Sequence, residues 1–209
     1  MKLDHMAWAS SSMEGALDLF SRLSGVAPSM GGPHEGAGTQ NAIVAIGDRA
    51  YLALDAPDPS QRLVGNNGER LAALSKPETF IYIMEVEELS GIELALDLEE
   101  IPHRRRQGRR TRPDGIVVES EVVMPQSATW GAALPQFVRW MAGPHPATDA
   151  PVVELVEFAI YHPAAVALRR VLERLGVPVE VRSADEFFMH TLLRGEKGYF
   201  SLPTAPLVP

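Results

Sequence analysis

The sequence repeats one pattern of strands and helices three times. Candidate first strands run over residues 3–9, 79–86 and 155–161, so the three patterns begin about 76 residues apart. Each strand is followed by a segment with helical apolar spacing and then by shorter runs with strand alternation. Internal repetition of this kind predicts an α+β fold made of repeated β-α-β-β-β units. The units are expected at 1–60, 76–146 and, more loosely, 150–209.

The clearest local signal lies in residues 31–59, which read GGPHEGAGTQNAIVAIGDRAYLALDAPDP. Two apolar, β-prone runs, 42–46 and 51–56, flank a Gly-Asp turn, which is typical of a β-hairpin. A glycine-rich polar loop precedes the hairpin, and a sheet edge would hold its polar side chains near a bound molecule. These side chains are those of His34, Thr39, Gln40 and Asn41.

This stretch resembles a phrase of glyoxalase-like domains in the vicinal-oxygen-chelate superfamily, GGxHxGxGTHNALxxLGxxxYLELIAxDP. Three later segments are similar to further phrases of that family: Arg112 with the PDG turn after it, LPQFVRW at 134–140, and His145 with Pro146. The resemblance implies that two units place their sheets side by side and curl them round a cavity, with the helices outside. It also implies a small-molecule ligand on the concave sheet face and one compact glyoxalase-like domain overall.

Three units leave one unit without a partner. Its sheet would have an exposed edge or face, and proteins usually cover such edges. We therefore expect either a homodimer or a third unit packed on the outside of the other two.

Strand alternation places His5 on the face opposite Met6 and Trp8. Met6 and Trp8 are expected to pack beneath the first helix, so that His5 faces the cavity together with Leu3 and Ala7. His5 is therefore a catalytic candidate. The alternative is a histidine that is only hydrogen-bonded inside a cavity.

His34 is the second catalytic candidate, because an imidazole can act as a general base near neutral pH. Gln40 and Asn41 are substrate-binding candidates, since amides donate and accept hydrogen bonds at once. The alternative is that His34 is a solvated loop residue and that the two amides only satisfy the backbone of the turn.

The segment 103–112, HRRRQGRRTR, contains six arginines in an acidic protein. As a whole it is typical of a solvated turn. Arg112 is singled out for substrate binding by the family phrase, and a guanidinium group suits a carboxylate or phosphate. The later phrases add Trp140 and His145 as substrate-binding residues, although aromatic residues at this spacing are also common in a plain core.

The family resemblance implies His5 as a metal ligand. The family phrase has glutamate where this chain has Ala53, and histidine where it has Gln40. Alanine offers no ligand atom, and a neutral amide oxygen is a poor ligand for zinc or iron. His5 is thus the only plausible ligand in the first unit. No cofactor is predicted, and a divalent metal is kept as an alternative.

Composition excludes several classes of activity. A net charge of -8 argues against general nucleic-acid binding, which needs a basic face. The chain has no cysteine, which excludes thiol catalysis and thiolate metal sites. No apolar run approaches the roughly 20 residues that cross a bilayer, and the N-terminal residues lack a signal-peptide pattern. The default prediction is a cytoplasmic protein without a membrane partner.

The predicted function is to bind or transform an anionic or carbonyl-bearing metabolite in a concave cavity. If the protein is an enzyme, the resemblance implies a lyase, an isomerase or a dioxygenase-like activity with an incomplete metal site. The alternative is a non-catalytic protein of the sequestering or resistance type, and the loss of glutamate at position 53 favours it.

Overall fold

A computed structural model describes residues 1–112 and 114–202 of the chain. The first unit consists of β1 (Lys2–Ala9), α1 (Met13–Ser24), β2 (Ser29–His34), β3 (Thr39–Gly47) and β4 (Ala50–Pro57). A short helix, α2 (Asn67–Ala72), leads to the second unit, which consists of β5 (Glu78–Glu85), α3 (Leu89–Leu98), β6 (His103–Thr111), β7 (Val117–Pro125) and β8 (Gln136–Ala142). The third unit consists of β9 (Glu154–His162), α4 (Ala165–Arg174), β10 (Glu180–Ser183), β11 (Phe188–Gly195) and β12 (Gly198–Ser201). The predicted α+β fold class is confirmed.

The first and second units form one eight-stranded sheet in the order β2-β3-β4-β1-β5-β8-β7-β6. β1 and β5 pair antiparallel at its centre, so that each unit supplies one half. The sheet curls until its two edge strands, β2 and β6, approach each other. This is the cavity-forming arrangement of two adjoining units that the family resemblance implies.

The convex face of the sheet carries the main core. Met6 and Trp8 of β1 are fully buried there and share a hydrophobic cluster with Phe20 of α1. The helix begins after Ser12, whose hydroxyl accepts a backbone N–H from the first turn, and it ends at Gly25 with a φ of 81°. These caps satisfy the ends of the helix and fix its length. The predicted orientation of Met6 and Trp8 toward the helical side is confirmed.

The third unit forms a separate four-stranded sheet in the order β10-β9-β11-β12. It packs on the convex side of the large sheet, where the rings of Phe158 and Tyr82 lie 5.3 Å apart. The rings of Phe200 and Phe20 lie 5.6 Å apart, so the third unit also covers α1. Of the two expected solutions for the unpaired unit, the structure shows the outside packing, while the homodimer stays a prediction. No helix in the described part of the chain is long and apolar enough to span a membrane.

Two segments that were expected to be loops or turns are strands. Residues 31–34 belong to β2, and His34 pairs with Thr39 of β3. Residues 103–111 form β6, which pairs along its whole length with β7, so the prediction of a basic turn is wrong. Strands pair through backbone N–H and C=O groups. A segment rich in glycine or arginine can therefore form a strand when the rest of the sheet fixes the strand beside it.

Candidate functional site

The concave face of the eight-stranded sheet forms a cavity of about 370 Å³, a size that suits a small organic molecule. Its first-unit wall is polar and carries His5, His34, Asn41, Tyr51 and Asp55. Its second-unit wall is largely apolar, with arginines along the edge strand; it includes Phe80, Ile81, Ile83, Val118, Val122, Met124, Trp140, Arg106, Arg109 and Arg110.

A β-bulge in β1 brings two successive residues to the cavity side. In the pairing with β5, Leu3 lies opposite Met84 and His5 lies opposite Ile83, which leaves Asp4 without a partner. The extra residue breaks the alternation, so the Asp4 carboxylate can reach the same side as His5. Leu3 packs instead against the convex core, which corrects the predicted grouping of Leu3 with His5.

The fully buried Asp4 carboxylate accepts hydrogen bonds from three side chains. Its Oδ2 accepts from Trp140 Nε1 at 2.7 Å and from His145 Nε2 at 3.0 Å, while its Oδ1 accepts from His5 Nδ1. Burial favours the neutral acid, but the donors of His145, His5 and Trp140 outweigh it and hold the pKa of Asp4 well below its usual range. Asp4 is therefore an anion at neutral pH.

These hydrogen bonds also indicate where the two histidines carry their protons. His145 Nδ1 accepts the Ala147 backbone N–H at 3.2 Å, so its Nε2 carries the proton that is donated to Asp4. His5 donates a hydrogen bond from Nδ1–H to Asp4, which leaves Nε2 free to accept a proton. The His5 ring lines the cavity and stacks on Tyr51 with 4.3 Å between ring centroids. The predicted cavity-facing orientation of His5 is confirmed, and the arrangement is that of an imidazole base held by a carboxylate.

Two arginines of β6 bring positive charge to the opposite side of the cavity. Arg110 Nη1 donates to Asn41 Oδ1 at 3.1 Å. Within the described part of the chain, neither Arg106 nor Arg110 has a carboxylate partner, unlike other arginines of the same segment. The paired ones are Arg105, Arg109 and Arg112, which contact Glu121, Glu119 and Asp114. Glu35 and Asp55 also line the cavity, but neither forms an ion pair with Arg106 or Arg110 within the described residues. The guanidinium groups therefore keep donors that favour an anionic ligand.

The contact between Asn41 and Arg110 depends on a close backbone approach. Asn41 is only 2% exposed. A Cβ at Gly31 would lie 2.2 Å from Asn41 Oδ1, much nearer than real contacts allow. Glycine at position 31 therefore leaves the room in which the amide turns its oxygen toward the guanidinium group.

Asp55 is a second buried carboxylate in the cavity wall. It lies on β4 between Ala9 of β1 and Asn41 of β3, and its Oδ1 has no hydrogen-bond partner among the described residues. Burial raises its pKa to about 7, and the opposing attraction of Arg110 does not cancel the effect. Asp55 is thus divided between its acid and carboxylate forms near neutral pH.

His34 lies on the same wall, and its Nδ1 is 2.9 Å from the Thr39 hydroxyl. Burial, followed by the positive charges of Arg110, His5 and Arg106, lowers its pKa to about 4. His34 is therefore neutral at physiological pH and can offer only a neutral ring to a ligand.

Gln40 and Arg112 lie outside this cavity, which corrects their predicted placement. Gln40 alternates away from Asn41 along β3, and its amide donates to the Pro57 carbonyl at 3.1 Å. Arg112 pairs with Asp114 at 3.0 Å and lines a separate recess of about 40 Å³. Of the other predicted residues, Trp140 lines the cavity and His145 lies buried against Asp4.

The residues that the structure describes do not fit a tight metal site. Ala53 faces the cavity and offers no ligand atom beside His5. Another group, formed by Asp4, Glu85 and His145, brings one ligand atom from each within 4.8 Å of the others. Its members are already committed, because Asp4 accepts three donors, His145 uses both ring nitrogens, and Glu85 binds Arg49 at 2.6 Å. A divalent ion would have to displace all of these contacts.

Four residues of the site were missed from the sequence: Asp4, Asp55, Arg106 and Arg110. One feature of the sequence points to Asp55: it is a charged residue within the apolar run 51–56, where the family phrase has isoleucine. For Asp4 the sequence is misleading, because alternation places it on the other face of the strand from His5. The two arginines were hidden in the basic segment, whose register on the sheet is not encoded locally.

Comparisons with known proteins agree with this geometry. A family model described as "Glyoxalase-like domain" matches residues 3–176. A hypothetical protein from Staphylococcus aureus has a TM-score of 0.66 at 12% identity, covering 98% of this chain and 86% of that chain. A single-residue variant of Streptomyces coelicolor methylmalonyl-CoA epimerase, in complex with 2-nitronate-propionyl-CoA, has a TM-score of 0.50 at 15% identity and covers 68% of this chain and 99% of that chain. A comparison with curated proteins gave no match.

Identities this low show a shared fold and nothing about the reaction. The family model is different, because it spans most of the chain and includes the stretch that first suggested the resemblance. The protein belongs to the glyoxalase-like domain family.

Proposed function

We propose that the protein binds an anionic, carbonyl-bearing small molecule in the concave cavity and moves a proton next to its carbonyl group, with His5 as the general base. The observation that carries this proposal is the Asp4–His5 pair on the cavity wall. A buried carboxylate behind an imidazole fixes the tautomer that accepts a proton and stabilises the imidazolium that forms.

The surroundings of the pair support this role. Trp140 and His145 hold the Asp4 carboxylate from the other side, so the base is oriented before a ligand arrives. The ring of Tyr51 stacks on His5 and restricts its rotation. Proton transfer requires a base held at a fixed distance from the substrate, and these contacts hold His5 in place.

The opposite side of the cavity supports the proposal of an anionic ligand. Arg106 and Arg110 provide two guanidinium groups for a carboxylate or phosphate oxygen. Val118, Val122 and Met124 of β7 add an apolar surface beside them. A molecule with an anionic end, a carbonyl group and a short apolar part would use all three surfaces.

The step itself conserves atoms and charge. The C–H bond next to the carbonyl breaks, its proton goes to His5 Nε2, and its electron pair moves into an enolate. Return of the proton to the same carbon gives exchange or inversion, and return to another atom gives isomerisation. The enolate oxygen is negative, so nearby guanidinium and amide donors would lower its energy.

The test is hydrogen exchange followed by NMR in D₂O. The panel would contain 7-oxooctanoate, whose carboxylate and ketone lie near opposite ends of the molecule, and propionyl-CoA, an acyl thioester of the class seen in the epimerase complex. We expect the wild-type protein to catalyse deuterium incorporation next to the carbonyl in at least one member. His5→Gln should lower that rate by about 10²–10⁴-fold. Chelation with EDTA should leave the wild-type rate unchanged.

The matched control is His103→Gln, because His103 lies at the start of β6 and away from the cavity lining. Its exchange rate should equal that of the wild-type protein. An exchange rate that survives His5→Gln, or that disappears with EDTA, would contradict the proposed mechanism.

A sequestering protein is the second candidate. It is favoured by Ala53, which removes the family's carboxylate from the cavity wall. In that case the panel would bind, the wild-type protein would cause no exchange, and His5→Gln would alter neither result.

A further inference from the structure

Asp55 carries a feature that the proposed proton transfer does not use. Its side chain lines the cavity, the residue is 9% exposed, and Oδ1 has no hydrogen-bond partner in the part of the chain that the structure describes. An unpaired buried carboxylate oxygen is costly, so its retention beside a cavity points to a partner that arrives with a ligand.

Asp55 and His5 lie far apart along the wall of the cavity. Tyr51 of β4 lies opposite His5, and Asp55 lies four residues further along the same strand. That spacing corresponds to about 13 Å along a strand. Asp55 therefore addresses the other end of a ligand and does not share the proton that His5 removes.

The charged groups that share the cavity with Asp55 limit what it can bind. Arg110 of β6 attracts its carboxylate, while Arg106 of β6, His34 of β2 and Glu35 line the same cavity. Arg70 of α2 also lines it and is paired with Glu78 of β5. Asn41, the neighbour of Asp55 on β3, holds Arg110 through its amide oxygen. An anionic oxygen entering here would meet one guanidinium group and one carboxyl group.

We infer that Asp55 is a proton-linked recognition residue, whose neutral carboxyl group donates a hydrogen bond to a carboxylate of the ligand beside Arg110. The inference rests on the anionic ligand of the proposed function and assigns its anion to this end of the cavity. In the ionised form, Asp55 would repel the same carboxylate. Binding of the ligand therefore takes up a proton.

The direction of the pH dependence follows from this linkage. Burial gives the free Asp55 a pKa of about 7, and a bound anion raises that pKa further. Affinity should then fall as pH rises from 6 to 8, by about tenfold over the two units. His34 titrates with a pKa of about 4 and cannot produce a change in this range.

The experiment measures binding of 8-anilinonaphthalene-1-sulfonate by fluorescence at pH 6 and pH 8, at fixed ionic strength. The sulfonate remains ionised throughout, so any pH dependence belongs to the protein. We expect the wild-type Kd to rise about tenfold between the two values. In Asp55→Asn the Kd should change less than twofold, and octanoate, a carboxylate, should displace the dye with the same pH dependence.

Three further variants locate the effect. Arg110→Met should weaken binding at both pH values, whereas Arg104→Met, on the same strand but outside the cavity lining, should not. His34→Gln should keep the wild-type pH dependence. An unchanged pH dependence in Asp55→Asn, a flat profile in the wild-type protein, or failure of octanoate to compete would overturn the inference.

A second measurement needs only the wild-type protein. Calorimetric titration with octanoate at pH 7, in buffers of different ionisation enthalpy, should show uptake of about half a proton per ligand. No uptake would contradict the inference even if Asp55→Asn failed to fold. Proton-linked binding without catalysed exchange of the substrate would support this inference and reject the proposed catalysis. Catalysed exchange together with pH-independent binding would support the catalysis and reject this inference.

Discussion

Asp55→Asn should make the protein more stable at pH 8, with little change at pH 4. Burial raises the folded-state pKa of Asp55 from 3.8 to about 7. The folded protein therefore binds a proton that the unfolded chain has lost, and the stability it contributes is full below the unfolded pKa and disappears as pH rises toward 7. The difference between the two pKa values corresponds to roughly 4 kcal/mol at pH 8. Chemical unfolding of both proteins at pH 4 and pH 8 would measure it.

The matched control is Asp58→Asn, three residues further along the chain. Hydrogen bonds from Gln61 and Ser60 lower the pKa of Asp58, so its charged form stabilises the folded state. Asp58→Asn should therefore destabilise the protein at pH 8, the opposite sign to Asp55→Asn. Equal effects of the two substitutions would show that Asp55 is not held as a buried acid.

Asp4→Ala should have the largest destabilising effect of the substitutions considered. It leaves the donors of His5, Trp140 and His145 without their common acceptor inside the fold. Breaking such a buried network by removing one partner costs about 3–5 kcal/mol. The melting temperature should fall. The rate of catalysed deuterium incorporation into the substrate should fall with it, because the orientation of His5 is lost at the same time.

Asp18→Ala is the control for the Asp4 substitution. Asp18 forms an exposed ion pair with Arg22 on α1 at 3.0 Å. Pairs of this kind contribute little, so the change should stay within about 0.5 kcal/mol. A loss of stability in Asp4→Ala no larger than that in Asp18→Ala would contradict the network described here.

The repeated units could be predicted because strand and helix periodicity are local properties of the sequence. Strand alternation alone predicts which side of the sheet Met6, Trp8 and His5 face, and the structure agrees. The same rule predicts the wrong side for Asp4. Its position depends on a bulge in the pairing with β5, which lies more than seventy residues away in the sequence.

The arginines show the same limit. Alternation groups Arg106 with Arg110, but only the closure of β6 against the opposite edge of the sheet directs them into the cavity. Arg112 lies beyond the end of that strand and contacts Asp114 instead. The raised pKa of Asp55 likewise arises from desolvation by its neighbours in the folded protein, which no single position of the sequence reveals.

The packing of the third unit limits where this chain can be truncated without exposing its core. The family model ends at residue 176, before β10, β11 and β12. Those strands supply Met189, Leu193 and Phe200 to the core that also holds Phe20. A protein truncated at the family boundary would expose that surface and leave β9 without its two neighbours in the sheet. We therefore expect the fragment that ends at residue 176 to aggregate on expression, whereas the chain through residue 202 should stay in solution.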